Sequence, residues 1–309
     1  MIVPQENCCP QNPQEIRYIE PVYRPPSEAQ SLILPLTDGC SWNRCTFCEM
    51  YTAPQKRFRA REEAETQANL AWIAQRPEAG RISRVFLADG DALVLPTRRL
   101  LAVLEAIRAY LPRVRRVSSY CLPRNLRKKS VAELRELREA GLALAYVGAE
   151  SGDDLVLERV RKGETQASTV EALQKLGEAG IRRSVMILNG LGGKIRSAEH
   201  ARHSADLANA TEPEYLATLV VSFPAGEARF RAAFPEWEPL DIPGLLMEMQ
   251  AFLARLTLKR TIFRSDHASN WLSLRGNLPE DKERLLAQLH TAITNPDSAP
   301  LRPAWVRGL

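Results

Sequence analysis

Three cysteines, Cys40, Cys45 and Cys48, fall within the segment TDGCSWNRCTFCEMY, separated by four residues and then by two. Thiolates favour soft metal centres, and three on one short loop can wrap a single site. Structural zinc closes with four ligands, often two Cys-x2-Cys pairs or a Cys/His mixture. An iron–sulfur cluster used only for electron transfer takes four protein thiolates. No fourth Cys or His lies near this loop. Cys8 and Cys9 are adjacent to each other and distant, and Cys121 is far downstream. Three thiolates on a [4Fe–4S] cluster leave one iron open to substrate or cofactor, and the ligand count fits that case directly. A non-catalytic iron–sulfur or zinc-binding protein is the alternative.

Such a loop needs a scaffold. It follows SLILPL (31–36), a β-type run. Five more apolar runs come after it: 81–89, 113–120, 142–150, 181–190 and 214–224. Between and after them, a 3.6-residue period predicts helices over 59–75, 97–111, 130–141, 165–180, 197–210 and 244–258. This alternation predicts right-handed βαβ units and an α/β fold with a parallel sheet. Periodicity leaves a curved, barrel-like sheet and a flat doubly wound one both open. Either way, the loops at the carboxyl ends of the strands form the active face. Residues 1–30 read as an extended N-terminal arm and 31–258 as the core. Residues 259–309 read as a C-terminal extension with one more strand, a loop and a terminal helix.

Phe47 immediately precedes the last cysteine, the loop sits after the first strand, and βα repeats follow. Together these resemble the radical S-adenosylmethionine (SAM) superfamily, and the Glu-Ser-Gly turn of YVGAESGDD is similar to that of its elongator subunit 3 and coproporphyrinogen dehydrogenase subgroup. The resemblance implies a partial (β/α)6 TIM-like barrel. It also implies a [4Fe–4S] cluster on Cys40, Cys45 and Cys48, with SAM chelated by the open iron. Reductive cleavage of SAM would then give methionine and a 5′-deoxyadenosyl radical that abstracts hydrogen from an unidentified substrate. An electron donor such as flavodoxin or ferredoxin is implied as partner. The usual first gap in the family is three residues; here Ser41, Trp42, Asn43 and Arg44 make four.

Further positions match the family in register. Asp89, Gly90 and Asp91 in FLADGDALVLP occupy the place that binds the SAM amino group. Glu150, assisted by Ser151, occupies the place that accepts the ribose hydroxyls, and Lys162 or Arg161 would meet the SAM carboxylate. Asn189, Gly190, Gly192 and Gly193 form the turn that passes the adenine. Phe47 belongs to the cofactor-binding set.

Substrate residues are expected in RSDHASN (264–270), which gathers Arg264, Asp266, His267 and Asn270 after the barrel. Convergent polar groups near a barrel mouth suit substrate contact or a general acid, and His267 and Asn270 are the candidates. His200 and His203, three apart on a predicted helix, read as solvated or helix-packing residues and Cys121 as a small buried side chain. The basic run from Arg113 to Lys129 reads as a solvated face, since no aromatic interleaving marks an RNA-binding module. Across 309 residues the net charge is +5, with 45% hydrophobic and 26% charged residues, an ordinary globular balance. No apolar run approaches the roughly 20 residues that span a bilayer. The N-terminus lacks the basic and apolar regions of a signal peptide, so the cytoplasm is the expected compartment.

Overall fold

Strands rich in Val, Ile and Leu bury themselves when helices cover one face. The computed structural model, which describes residues 15–307, has that arrangement. Cys8 and Cys9 lie outside the described residues. In chain order the elements are β1 (Leu32–Pro35), β2 (Thr37–Asp38), β3 (Arg59–Ala60), α1 (Glu63–Ala74), β4 (Arg84–Ala88), α2 (Thr97–Tyr110), β5 (Arg116–Tyr120), α3 (Val131–Glu139), β6 (Leu142–Glu150), α4 (Asp154–Arg159), α5 (Gln166–Glu178), β7 (Arg182–Asn189), α6 (Gly193–Thr211), β8 (Tyr215–Val220), α7 (Ala228–Ala233), α8 (Ile242–Arg255), β9 (Thr261–Ser265), β10 (Leu274–Leu278) and α9 (Lys282–Thr294). Eight strands form one sheet in the order β1-β4-β5-β6-β7-β8-β9-β10, while β2 and β3 pair separately. Neighbours from β1 to β9 run parallel, and β10 returns antiparallel to β9. Among the described residues nothing pairs β1 with β10, so the sheet stays open.

Alternation along each strand sorts the two faces. Val85, Leu87, Val117, Val185, Ile187, Leu216, Phe263 and Leu274 join helix residues in the main core. Their neighbours form an inner face without helices. There Phe86, Tyr120 and Tyr146 stack edge to face, with ring centroids 5.1–6.2 Å apart. The arm is stitched to this end of the sheet. Buried Glu28 accepts from Tyr146 Oη at 2.6 Å and from Arg116 at 2.8 Å. Tyr18 Oη donates to the Ile33 carbonyl at 2.9 Å.

Helix starts follow their caps. Ser130 and Glu133 form a reciprocal capping box on α3, and Asp241 accepts from Gly244 N on α8. The six expected strands and six expected helices are all present. Three features go beyond the expectation. The tail holds two strands, β9 and β10, because Leu274, Gly276 and Leu278 alternate with exposed Arg275 and Asn277. The short helices α4 and α7 fall between the expected elements, in stretches given no helix from sequence. The basic run is largely paired: Arg116 with Glu28, Arg124 and Arg127 with Glu164, and Lys129 with the Leu95 carbonyl.

Candidate cluster and cofactor site

The cysteine loop runs from β2 to β3, and its four-residue first gap is anchored at three points. Ser41 donates from N and Oγ to Asp91, at 2.7 and 2.5 Å. Trp42 Nε1 donates to the Arg161 carbonyl at 2.9 Å, and its ring lies 3.6 Å under the Arg124 guanidinium. Asn43 Nδ2 donates to the Tyr51 carbonyl at 2.7 Å. The extra residue thus belongs to a bulge that docks on the α4 end. The second half is gripped from across the mouth. Arg229 of α7 donates to the carbonyls of Cys45 (2.8 Å) and Cys48 (3.1 Å). Burial, with Asp91 adding, pushes the free Cys40 thiol up to about 12. Burial likewise pushes Cys48 to about 11 and raises Cys45. The apo thiols are therefore protonated near neutrality, and metal binding must displace those protons.

The turn after β4 presses on this loop. A Cβ added at Gly90 would stand 2.1 Å from the Gly39 carbonyl oxygen and 2.7 Å from Cys40 Cα, and its φ is +45°. Backbone on both sides cannot yield. Gly90→Ala is expected to cost more than about 2 kcal/mol and to displace Cys40. Urea unfolding and iron content after anaerobic reconstitution measure the two effects. Beside it, Asp89 is buried. Its Oδ2 pairs with buried Lys56 Nζ at 2.5 Å, while Oδ1 is buried without a hydrogen-bond partner. Asp91 has both oxygens engaged, by Ser41 and by Asn125 Nδ2 at 2.8 Å. The structure therefore makes Asp91 the loop's anchor and leaves Asp89 as the carboxylate with a vacant oxygen.

At the end of β6, Glu150 folds back over Gly148, where an added Cβ would lie 2.0 Å from Glu150 Oε1. Glu150 Oε1 accepts from Lys162 Nζ at 3.0 Å, and both side chains are buried. Oε2 has no protein partner among the described residues. Burial alone would lower the Lys162 pKa, but the Glu150 carboxylate and the Cys45 sulfur beside it hold it above the usual lysine value. Its ammonium also stands 5.8 Å from the Phe47 ring centroid. The structure thus brings Phe47, Cys45, Cys48, Glu150 and Lys162 together.

Below them runs a buried polar chain that no motif announced. Glu248 of α8 accepts from Asn189 Nδ2, Gly190 N and Ser197 Oγ, at 2.6, 2.6 and 2.7 Å. His200 Nε2 is 3.8 Å from Glu248, and His200 Nδ1 meets Ser151 Oγ at 2.7 Å. Ser151 Oγ also accepts from Asp153 N. Ser151 and Asn189 are thereby committed to protein partners, and the Gly190 turn is fixed from beneath. Glu248, Lys56 and Arg229 were not singled out from sequence. An acid among the apolar residues of GLLMEMQAFL was the available signal for Glu248; the other two had none.

The 266–270 segment lies against the end of β8. Asn270 accepts from Val220 N at 2.9 Å and donates to the Thr218 carbonyl at 2.8 Å, as a neighbouring strand would. His267 Nδ1 accepts from Ser269 N at 3.1 Å, so the neutral ring carries its proton on Nε2. Arg302 and Arg307 hold this segment through its carbonyls. Cys121 is buried in the main core.

Residues 34–208 match the sequence profile of the Radical SAM superfamily. The chain belongs to the radical SAM superfamily. A search of curated proteins found no match. Among solved structures, coproporphyrinogen III oxidase (HemN) from Escherichia coli is similar, with a TM-score of 0.53 and 15% identity over 85% of this chain and 58% of that one. The cobalamin-dependent SAM radical enzyme OxsB is similar with a TM-score of 0.51 and 16% identity, over 74% of this chain and 33% of that one. At these identities the likeness is one of fold. The chain spans between a third and three fifths of the length of those structures.

Radical SAM enzymes use a [4Fe–4S] cluster and SAM. The residues of this radical SAM protein fit both. The donor set is three thiols on one anchored loop, with a cation and a buried carboxylate oxygen nearby. Among the described residues no three His, Cys, Asp or Glu side chains are set to hold a single metal ion. The fit therefore rests on donor chemistry and on the anchoring of the loop. No helix of the described residues is long and apolar enough to cross a membrane.

Proposed function

We propose that this enzyme holds a [4Fe–4S] cluster on Cys40, Cys45 and Cys48 and cleaves SAM reductively to start a radical reaction. The observation that carries the reading is the convergence of the cysteine loop with Glu150 from the end of β6, with Lys162 from the loop after α4, and with Asp89 from the end of β4. When bound, the cluster supplies the electron that splits SAM into methionine and a 5′-deoxyadenosyl radical. The protein's part is to bind and orient. Asp89 Oδ1 accepts from the SAM ammonium. Glu150 Oε2 accepts from the ribose diol, and Lys162 turns its remaining N–H groups to the SAM carboxylate. Asn189 and Gly190, held by Glu248, shape the adenine turn, and Ser151 positions Glu150 through the His200 link. Phe47 packs beside the Lys162 ammonium and keeps water from it. The arm (1–30), core (31–258) and extension (259–309) divide the work: the extension supplies His267 and Asn270 at the substrate side. Asn270 sets the end of β8, and His267 offers its Nε2 proton. A small reductant protein of the flavodoxin or ferredoxin class supplies the electron.

The test is anaerobic reconstitution with iron and sulfide, followed by SAM and dithionite. Formation of 5′-deoxyadenosine is expected. An intact [4Fe–4S] spectrum with no 5′-deoxyadenosine would refute the reading.

The state of His267 gives a separate check. Burial, then the nearby Arg302 charge, lowers its pKa below 6.5 despite Asp266. The folded protein thus binds this proton less well than the unfolded chain. The contribution to stability is complete above 6.5 and is lost as pH falls toward the folded-state pKa. An NMR titration of the ring is expected to give a midpoint below 6.5. A midpoint at or above that value would remove the neutral donor.

A further inference from the structure

Beyond β6 the inner face changes character. In register across β6, β7, β8 and β9 run Gly148, Met186, Ala217 and Arg264. Arg264 in turn faces Arg275 on β10. Met186 and Ala217 are half-buried, and both arginines are exposed. The row therefore begins two residues before Glu150, crosses an apolar floor and ends on two guanidinium groups.

Those two cations are cross-strand neighbours, with Cβ atoms about 5 Å apart. Like charges directly opposite destabilise a sheet. One acid answers them. Asp266 Oδ2 pairs with Arg275 Nε at 2.5 Å. Among the described residues Arg264 reaches only carbonyls, Phe263 at 2.8 Å and Gly276 at 3.3 Å, both through Nη1. Its Nε and Nη2 have no protein partner among the described residues. Arg182, on β7, is a further exposed cation of the same face, and among the described residues its side chain meets only the Tyr215 hydroxyl, at 3.4 Å. Glu28 and Glu150, the acids of this face on the β6 side, are already paired with Arg116 and Lys162. The far edge of the face therefore carries net positive charge.

We propose that Arg264 and Arg275 bind the anionic group of the substrate, a carboxylate or a phosphate, while its apolar body lies on Met186, Ala217 and Ile262. This rests on the radical SAM reading for the cofactor end of the row and names the substrate class for it. Arginine's planar fork suits both oxyanions bidentately. The apolar floor then aims the rest of the molecule along the row toward the cofactor residues.

The probes are octanoate, octyl phosphate and neutral octanamide, titrated calorimetrically into the reconstituted, SAM-loaded protein. At least one anion is expected to bind about tenfold tighter than octanamide, and the better of the two identifies the group. Arg264→Gln/Arg275→Gln is expected to bring that anion down to the octanamide level. Arg108→Gln, an exposed change on α2, is expected to leave it unchanged. Equal binding of anions and octanamide, or an anion affinity unaltered in the double variant, overturns the proposal. Thermal unfolding of the double variant at an unchanged midpoint assigns the loss to the side chains and not to misfolding. A wild-type protein that forms no 5′-deoxyadenosine would remove the cofactor reading while leaving the binding result standing. Unaltered anion binding in the double variant would do the reverse.

Discussion

Cys45→Ala is expected to abolish 5′-deoxyadenosine formation, with the rate falling at least about a thousandfold to the level of cluster-free protein. Cys45 sits at the centre of the loop, with its carbonyl held by Arg229 and its sulfur next to Lys162. The substitution removes one of three ligands and leaves the anchors of the loop in place. Folding should therefore survive while the broad iron–sulfur absorbance and the reduced-cluster EPR signal disappear. Cys40→Ala and Cys48→Ala should behave alike, whereas Cys121→Ala should keep its cluster, because Cys121 is buried in the main core. Retention of a [4Fe–4S] signal in any of the three loop variants would show that the ligand set is misassigned.

Lys162→Met should be the most damaging change outside the cysteines. It strands the Glu150 carboxylate, which is only 6% exposed, without its cation. Breaking a buried pair from one side costs about 3–5 kcal/mol. Adding Glu150→Gln to Lys162→Met should recover much of that loss, since a neutral amide does not need the ammonium. Urea unfolding of the two single variants and the double measures the coupling. The Lys162 pKa lies above the ordinary 10.5. The stabilisation is therefore complete below pH 10.5 and fades only as pH rises through the folded-state value. Additive single-variant effects would mean that the two groups are independent. SAM affinity should fall in all three variants, including the stable double one, because both side chains are proposed to touch SAM.

The parts of the site that could be read from sequence are those where chemistry and strand ends coincide. Cys40, Cys45 and Cys48 announce themselves by residue type. Asp89 and Glu150 are found because each ends a run of apolar residues with a clear period. The same period yields the main α/β architecture. What could not be read depends on partners distant in the chain. Asp91 and Asp89 are neighbours of the same type, yet only the fold shows that Ser41 and Asn125 occupy one while Lys56 half-occupies the other. Glu248 lies about sixty residues beyond the turn it holds, and a lone acid in an apolar helix has no spacing rule. Asn270 carries the side-chain chemistry of a substrate ligand, but its two hydrogen bonds go to the backbone of β8. The second tail strand was hidden because SLRGN is short and polar on alternate positions. Its pairing comes from β9 and not from intrinsic propensity.

The open sheet has a cost in solution behaviour. Among the described residues β1 and β10 are the two edges of the sheet, and the N–H and C=O groups an edge strand leaves outward are a template for pairing with another chain. Both edges are poor templates. β1 is four residues long and ends in Pro35, which has no N–H to offer. β10 is five residues long, carries the charge of Arg275, and is followed at once by Pro279. The arginine proposed to hold a substrate anion would then also help keep neighbouring molecules from adding strand to strand. Its removal should be watched for aggregation as well as for lost binding.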